Sequence, residues 1–219
     1  MSFLNQLKSQ ANALQTQQTE DRSVLDANTQ KTELACKTVW HYVNELTKHL
    51  NVLVPPGPEF ALDKKARWPA MKLMDFRADS RKKMLRDKEV VETISMVWQI
   101  VPLQGPPVTA SVSVNFPPEL ERVEKRLWFG GVKFDRKDIR HPEKNTLKEI
   151  CFEYVTQARG YVTITPDHDN ARLEFRLANT DGFAVKTITW PVEDIQTGLL
   201  DELAKLIVAQ PSRFAEFAL

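Results

Sequence analysis

The chain has 219 residues, of which 42 % are apolar and 27 % charged, and a formal net charge of +1 at neutral pH. Such proportions fit one large globular domain, or a domain with an appended arm, and exclude a disordered chain and a globally basic nucleic-acid binder. The two cysteines, Cys36 and Cys151, lie in a helical and a strand pattern and suit a reducing compartment better than a secreted disulfide scaffold. The first residues lack the basic stretch and apolar run of a signal peptide, and no apolar run approaches the length of a membrane span. A cytoplasmic location without membrane insertion is therefore expected.

Residues 1–54 read as helix. Phe3, Leu4, Leu7, Ala11 and Leu14 fall on one stripe, backed by glutamine, asparagine and serine. The polar stretch 16–22 interrupts the stripe. A second, stronger helix follows, with Leu34, Ala35, Val39, Val43, Leu46 and Leu50 on one side. Pro55-Pro56-Gly57-Pro58 ends it, because proline lacks the donor and restricts the residue before it. The expected organisation is an N-terminal helical arm or hairpin over 1–57, then an antiparallel sheet with a C-terminal helix over 58–219, in one compact domain.

Two strands are expected at 70–78 and 89–101, with the basic stretch 81–88 as their connection. In the second, Val90, Ile94, Met96, Trp98 and Ile100 alternate with polar or small residues at period two. After the turn at Gln104-Gly105-Pro106-Pro107, residues 108–116 alternate without error: Val108, Ala110, Val112, Val114 and Phe116 on one face. Pro117-Pro118 opens a short helix with Leu120, Val123 and Leu127 inward, and Gly130-Gly131 stops it. A meander of four strands is expected at 147–156, 160–165, 172–177 and 183–190, joined by short links, of which Asn179-Thr180-Asp181-Gly182 is a strong hairpin signal. A C-terminal helix should start near Val192, with Ile195, Leu199, Leu203, Leu206 and Ile207 as its core face.

Helices first, strands in the middle and a helix last define an α+β fold. We expect a curved antiparallel sheet of about six to eight strands, with N-terminal helices and a long C-terminal helix packed on it. No Gly-rich loop follows a strand, which argues against a nucleotide-binding α/β fold.

Each chemically suggestive cluster has an ordinary structural explanation. His41, Glu45 and His49 share one side of a helix, a spacing that could offer metal ligands, but one helix alone seldom closes a site. Asp167-His168-Asp169-Asn170 sets an imidazole between carboxylates, yet no nucleophile motif accompanies it, and aspartate and asparagine are favoured in turns. Both cysteines read as structural thiols. No catalytic, cofactor-binding or metal-binding residues are assigned.

The leading expectation is thus a non-enzymatic interaction protein that self-associates or docks a protein partner through its N-terminal helix, at Phe3, Leu4, Leu7 and Leu14. A second is a small-molecule binder or enzyme with an apolar cavity between sheet and C-terminal helix, walled by Trp98, Tyr154 or Trp190, with Arg159, His168 or Arg176 at its mouth. A third and weaker one is anion or nucleic-acid binding. The segment from Asp63 to Lys88 holds ten basic residues against four acids, and Lys64, Lys65, Arg67, Arg81, Lys82, Lys83 and Arg86 would carry it.

Overall fold

The computed structural model describes residues 3–63 and 66–216. It opens with one helix, α1 (Phe3–Leu53), rather than two helices or a hairpin. The reason is the absence of any breaker: no glycine or proline occurs between Phe3 and Leu53. The polar stretch 16–22 interrupts the apolar stripe but not the backbone, since glutamine, glutamate and arginine are good helix formers. The helix stops where Val54 turns to a φ of +44° immediately before the proline run.

Among the described residues, eight strands follow in two antiparallel sheets. The first pair, β1 (Met71–Leu85) and β2 (Lys88–Pro102), forms a long hairpin. Residues 81–85 are therefore strand, not connection. The turn is only Arg86-Asp87, with φ of +48° and +61°, the two left-handed residues of a tight hairpin turn. Its charged composition disguised the end of β1, because an exposed edge needs no apolar alternation.

Next come β3 (Thr109–Val114), α2 (Pro117–Phe129), β4 (Phe134–Arg140) and β5 (Leu147–Val155). These strands form a three-stranded sheet in the order β3-β5-β4. The alternation over 108–116 proves only partly buried: Val112 and Val114 are in the core, while Val108 and Phe116 are exposed at its ends. Sequence reasoning missed β4 because every residue in it after Phe134 is exposed.

The remaining strands, β6 (Ala158–Asp167), β7 (Arg172–Ala178) and β8 (Val185–Pro191), join the first hairpin in a five-stranded sheet ordered β1-β2-β6-β7-β8. The expected four-strand meander is thus divided, because β5 and β6 belong to different sheets. At the corner, the Gln157 N–H donates to the Val155 carbonyl at 2.7 Å, a three-residue turn that redirects the chain. Thr156, buried there, accepts the Val108 N–H in its hydroxyl at 2.9 Å and so ties the corner to the start of β3.

A 3₁₀ turn (Val192–Asp194) leads to α3 (Thr197–Ile207). With eleven residues, α3 is shorter than the long terminal helix expected, and its buried face is Leu200, Leu203 and Ile207. One hydrophobic core joins both sheets with the C-terminal half of α1 and with α3. Ala35, Cys36, Val39, Val43 and Leu50 of α1 meet Ile94, Met96, Trp98, Ile100, Leu173, Phe175 and Leu177 there. No helix among the described residues is long and apolar enough to cross a membrane.

Candidate functional site

The N-terminal part of α1 stands apart from the body. Asp26, Asn28 and Thr29 tie the helix to the sheet, through Lys88, the Asp169 carbonyl and Arg86. Before Leu25, every described side chain is exposed. From Phe3 to Val24 the helix runs about 33 Å at 1.5 Å per residue. Phe3 is 73 % exposed and Leu7 45 %. The side chains of Leu4 and Leu14 lie outside the described residues.

The basic segment divides among different environments. Arg86 is structural: it donates to Asp169 at 2.6 Å and to the Thr29 hydroxyl at 2.8 Å, locking the β1–β2 turn to the helix. Lys82 pairs with Glu89 at 2.7 Å, and Arg81 lies 3.8 Å from Asp79. Arg67 sits apart in the loop before β1, Lys83 is exposed on that edge strand, and Lys64 and Lys65 lie outside the described residues. The segment's charge is thus partly neutralised by its own neighbours.

Glu45 bonds to Lys48 at 2.7 Å, and that bond keeps its carboxyl below the usual range. Among the described residues, no group of three histidines, cysteines or acids could hold a metal ion. His168 is buried, with Nε2 2.8 Å from the Val91 carbonyl and 3.8 Å from the Glu33 carboxylate. Asp167 accepts from Asn170 and from the Asp169 N–H, a side-chain-closed turn. Cys36 is buried on the inner side of α1, where burial and then Glu33 push its thiol up to about 12, which disfavours the reactive thiolate. Cys151 is half-buried in β5, opposite Lys137.

The space between sheet and α3 is filled by side chains. Phe214 packs edge-on against Phe175 at 5.2 Å and tilts against Trp190 at 6.0 Å. Trp98 stacks on Phe76 at 5.6 Å, and Tyr154 on Trp68 at 5.8 Å. Arg159 and Arg176, expected at the mouth of a cavity there, rise instead from the opposite face of the sheet.

That face carries a cavity of about 610 Å³. Its centre is Tyr161 on β6, directly paired with Val97 on β2, which is in turn paired with Arg77 on β1. Arg159 lies two residues along β6, on the same face, and Arg176 on β7 pairs with Thr163. The Arg176 guanidinium sits 5.9 Å from the centre of the Tyr161 ring. Gln99, Thr163 and Asp75 complete the wall. No ion pair joins Arg77, Arg159 or Arg176 to any described acid. A smaller depression of about 270 Å³ adjoins the cavity, shares Gln99 and Arg159 with it, and adds Lys133.

A β-bulge shapes the rim. Between Met74 and Arg77, β1 has two residues where β2 has only Trp98. Asp75 takes a φ of +56°, a conformation aspartate tolerates better than most residues. The freed backbone groups of Phe76 are met by α1: Asn51 Nδ2 donates to the Phe76 carbonyl at 2.9 Å, and the Phe76 N–H donates to Asn51 Oδ1 at 2.8 Å. The bulge sends Phe76 into the core and Arg77 to the open face.

On the covered face, Gly160 lies opposite Trp98. A Cβ at Gly160 would stand 2.1 Å from the indole, so only glycine lets the ring lie flat there. No family model matches this sequence, and no curated protein or solved structure matches it.

Proposed function

We propose that this is a non-catalytic interaction protein that pairs with a second copy of itself through the N-terminal part of α1. The observation behind this reading is that α1 continues as helix for about 33 Å past its attachment to the sheet, with Phe3 and Leu7 exposed. Leu4, Leu7, Ala11 and Leu14 recur at alternating intervals of three and four residues, the seam of two helices wound together. The glutamine-rich remainder suits the solvent side of such a pair. Only two heptads carry the seam, because Gln18 and Asp21 occupy the next positions, so the association is weak and reversible.

Sedimentation of the full chain and of a chain lacking residues 1–22 tests the reading. The full chain should show a concentration-dependent dimer, and the shortened one a monomer with an unchanged thermal midpoint. A full chain that stays monomeric up to a concentration of about 1 mM, or a dimer that survives the deletion, overturns it.

A further inference from the structure

We propose that the open face of the five-stranded sheet binds a small organic dianion, a phosphate monoester or a dicarboxylate, in the cavity ringed by Arg77, Arg159 and Arg176. The site is separate from the helical arm and independent of self-association.

Three strands deliver one guanidinium each to the surroundings of Tyr161. At about 4.8 Å per strand and about 3.4 Å per residue, the register sets their backbone positions about 12–16 Å apart, so three long side chains can converge on one guest and repel one another weakly when salt is low. Arg81, Arg86 and Arg136 each have an acid within 4.0 Å; among the described residues Arg77, Arg159 and Arg176 have none, as is also true of Arg22, Arg122 and Arg140. What distinguishes the three is that they gather on one face around a cavity, where the Tyr161 ring offers Arg176 a weak attraction and no ion pair rewards the gathering. An anion would, since a guanidinium fork binds phosphate and carboxylate oxygens in pairs.

Charge and size narrow the guest. Three arginines against Asp75 leave the lining a formal +2, which matches a dianion. A volume of about 610 Å³ is that of a small-molecule site. Val97 and the Tyr161 ring supply apolar surface for the body of the guest, and Gln99 and Thr163 supply donors and acceptors for its neutral polar groups.

A nucleic-acid strand fits less well. Strand binding uses successive aromatic platforms along a continuous basic track. Here Tyr161 is the one aromatic side chain of the lining on this face, since Trp98 points into the core. Further along the sheet the same face carries Asp79 and Glu174, which bound the positive field.

Calorimetric titration of the full chain with adenosine monophosphate, succinate and an oligothymidylate strand, at low salt, tests the proposal. Saturable binding of the monophosphate or of succinate is expected, and which one binds separates phosphate monoester from dicarboxylate. Arg159→Gln and Arg176→Gln should each weaken that binding about tenfold or more, with no fall in thermal midpoint, while Thr189→Ala leaves it intact. The proposal is overturned by no saturable binding of either small anion up to about 10 mM, by binding indifferent to both arginine substitutions, or by binding of the oligonucleotide alone.

Discussion

On one face of the five-stranded sheet, Ile94, Met96, Trp98 and Ile100 of β2 lie under α1 beside Val162 and Ile164 of β6 and Phe175 of β7, each at most 1 % exposed. On the other face the same strands present Ser95, Val97, Gln99, Tyr161, Thr163 and Arg176. Both faces obey one period-two alternation, and a solvated second face is ordinary for an antiparallel sheet. Polarity alone therefore says little about the open face. What sets it apart is three arginines with no ion-pair partner among the described residues, gathered around one tyrosine. The covered face holds the fold, and the open face is free to carry a site.

The comparison breaks most readily on the covered side. Phe175→Ala should destabilise the protein by about 3–5 kcal/mol, because it empties a site packed against Phe214 and leaves a cavity under α3. Urea unfolding would read this as a fall in midpoint at constant slope. Gly160→Val forces a side chain into the indole of Trp98, and a loss of about 1–3 kcal/mol is expected. The paired change Gly160→Ala with Trp98→Phe should recover part of that loss, which distinguishes crowding from a general intolerance of the strand. If Gly160→Val unfolds at the same urea concentration as the parent, the packing of Trp98 against that backbone is wrong.

Where the two faces meet, the bulge gives a smaller effect. Asn51→Ala removes both partners of the Phe76 backbone and should lower stability by about 1–3 kcal/mol. Asn51→Asp retains the acceptor but loses the donor, so a smaller loss is expected. Hydrogen exchange at Phe76 should accelerate in both variants while that at Ile164, in the middle of the sheet, changes only with global stability. Faster exchange spread evenly over the sheet would count against a local clamp.

These same features explain what the sequence disclosed and what it withheld. The alternation in β2 and the tight turn before β8 were legible because burial on one face and positive φ leave direct residue signatures. β4 and the end of β1 were hidden because exposed edges carry charge where an inner strand carries alternation. The partition into two sheets was invisible because period two runs on both sides of Thr156 and Gln157, and a change of sheet leaves alternation intact. Arg159, expected in a link between strands, and Arg176 were legible as polar groups beside a cavity, but on the wrong face, and their companion Arg77 lay within a basic segment that drew attention as a whole. Only pairing across β1, β2, β6 and β7 brings the three together, and pairing is not local information.

The smallest expected effect is the sharpest test of the division between the faces. Arg176→Gln lies on the same strand as Phe175→Ala and one residue away, yet it removes no core contact and no ion pair. It gives up a cation held over the Tyr161 ring, a weak attraction in water, and relieves repulsion from Arg77 and Arg159. The expected outcome is no loss of stability in low salt, and a slight gain that fades as salt is added, because screening removes the repulsion from the parent as well. A clear destabilisation that persists at high salt would mean that Arg176 serves the fold, and the open face would then have to be read as a second structural surface. A neutral or salt-dependent gain leaves the arginines without a structural purpose, which is the pattern expected when residues are kept for a ligand at some cost to the empty protein.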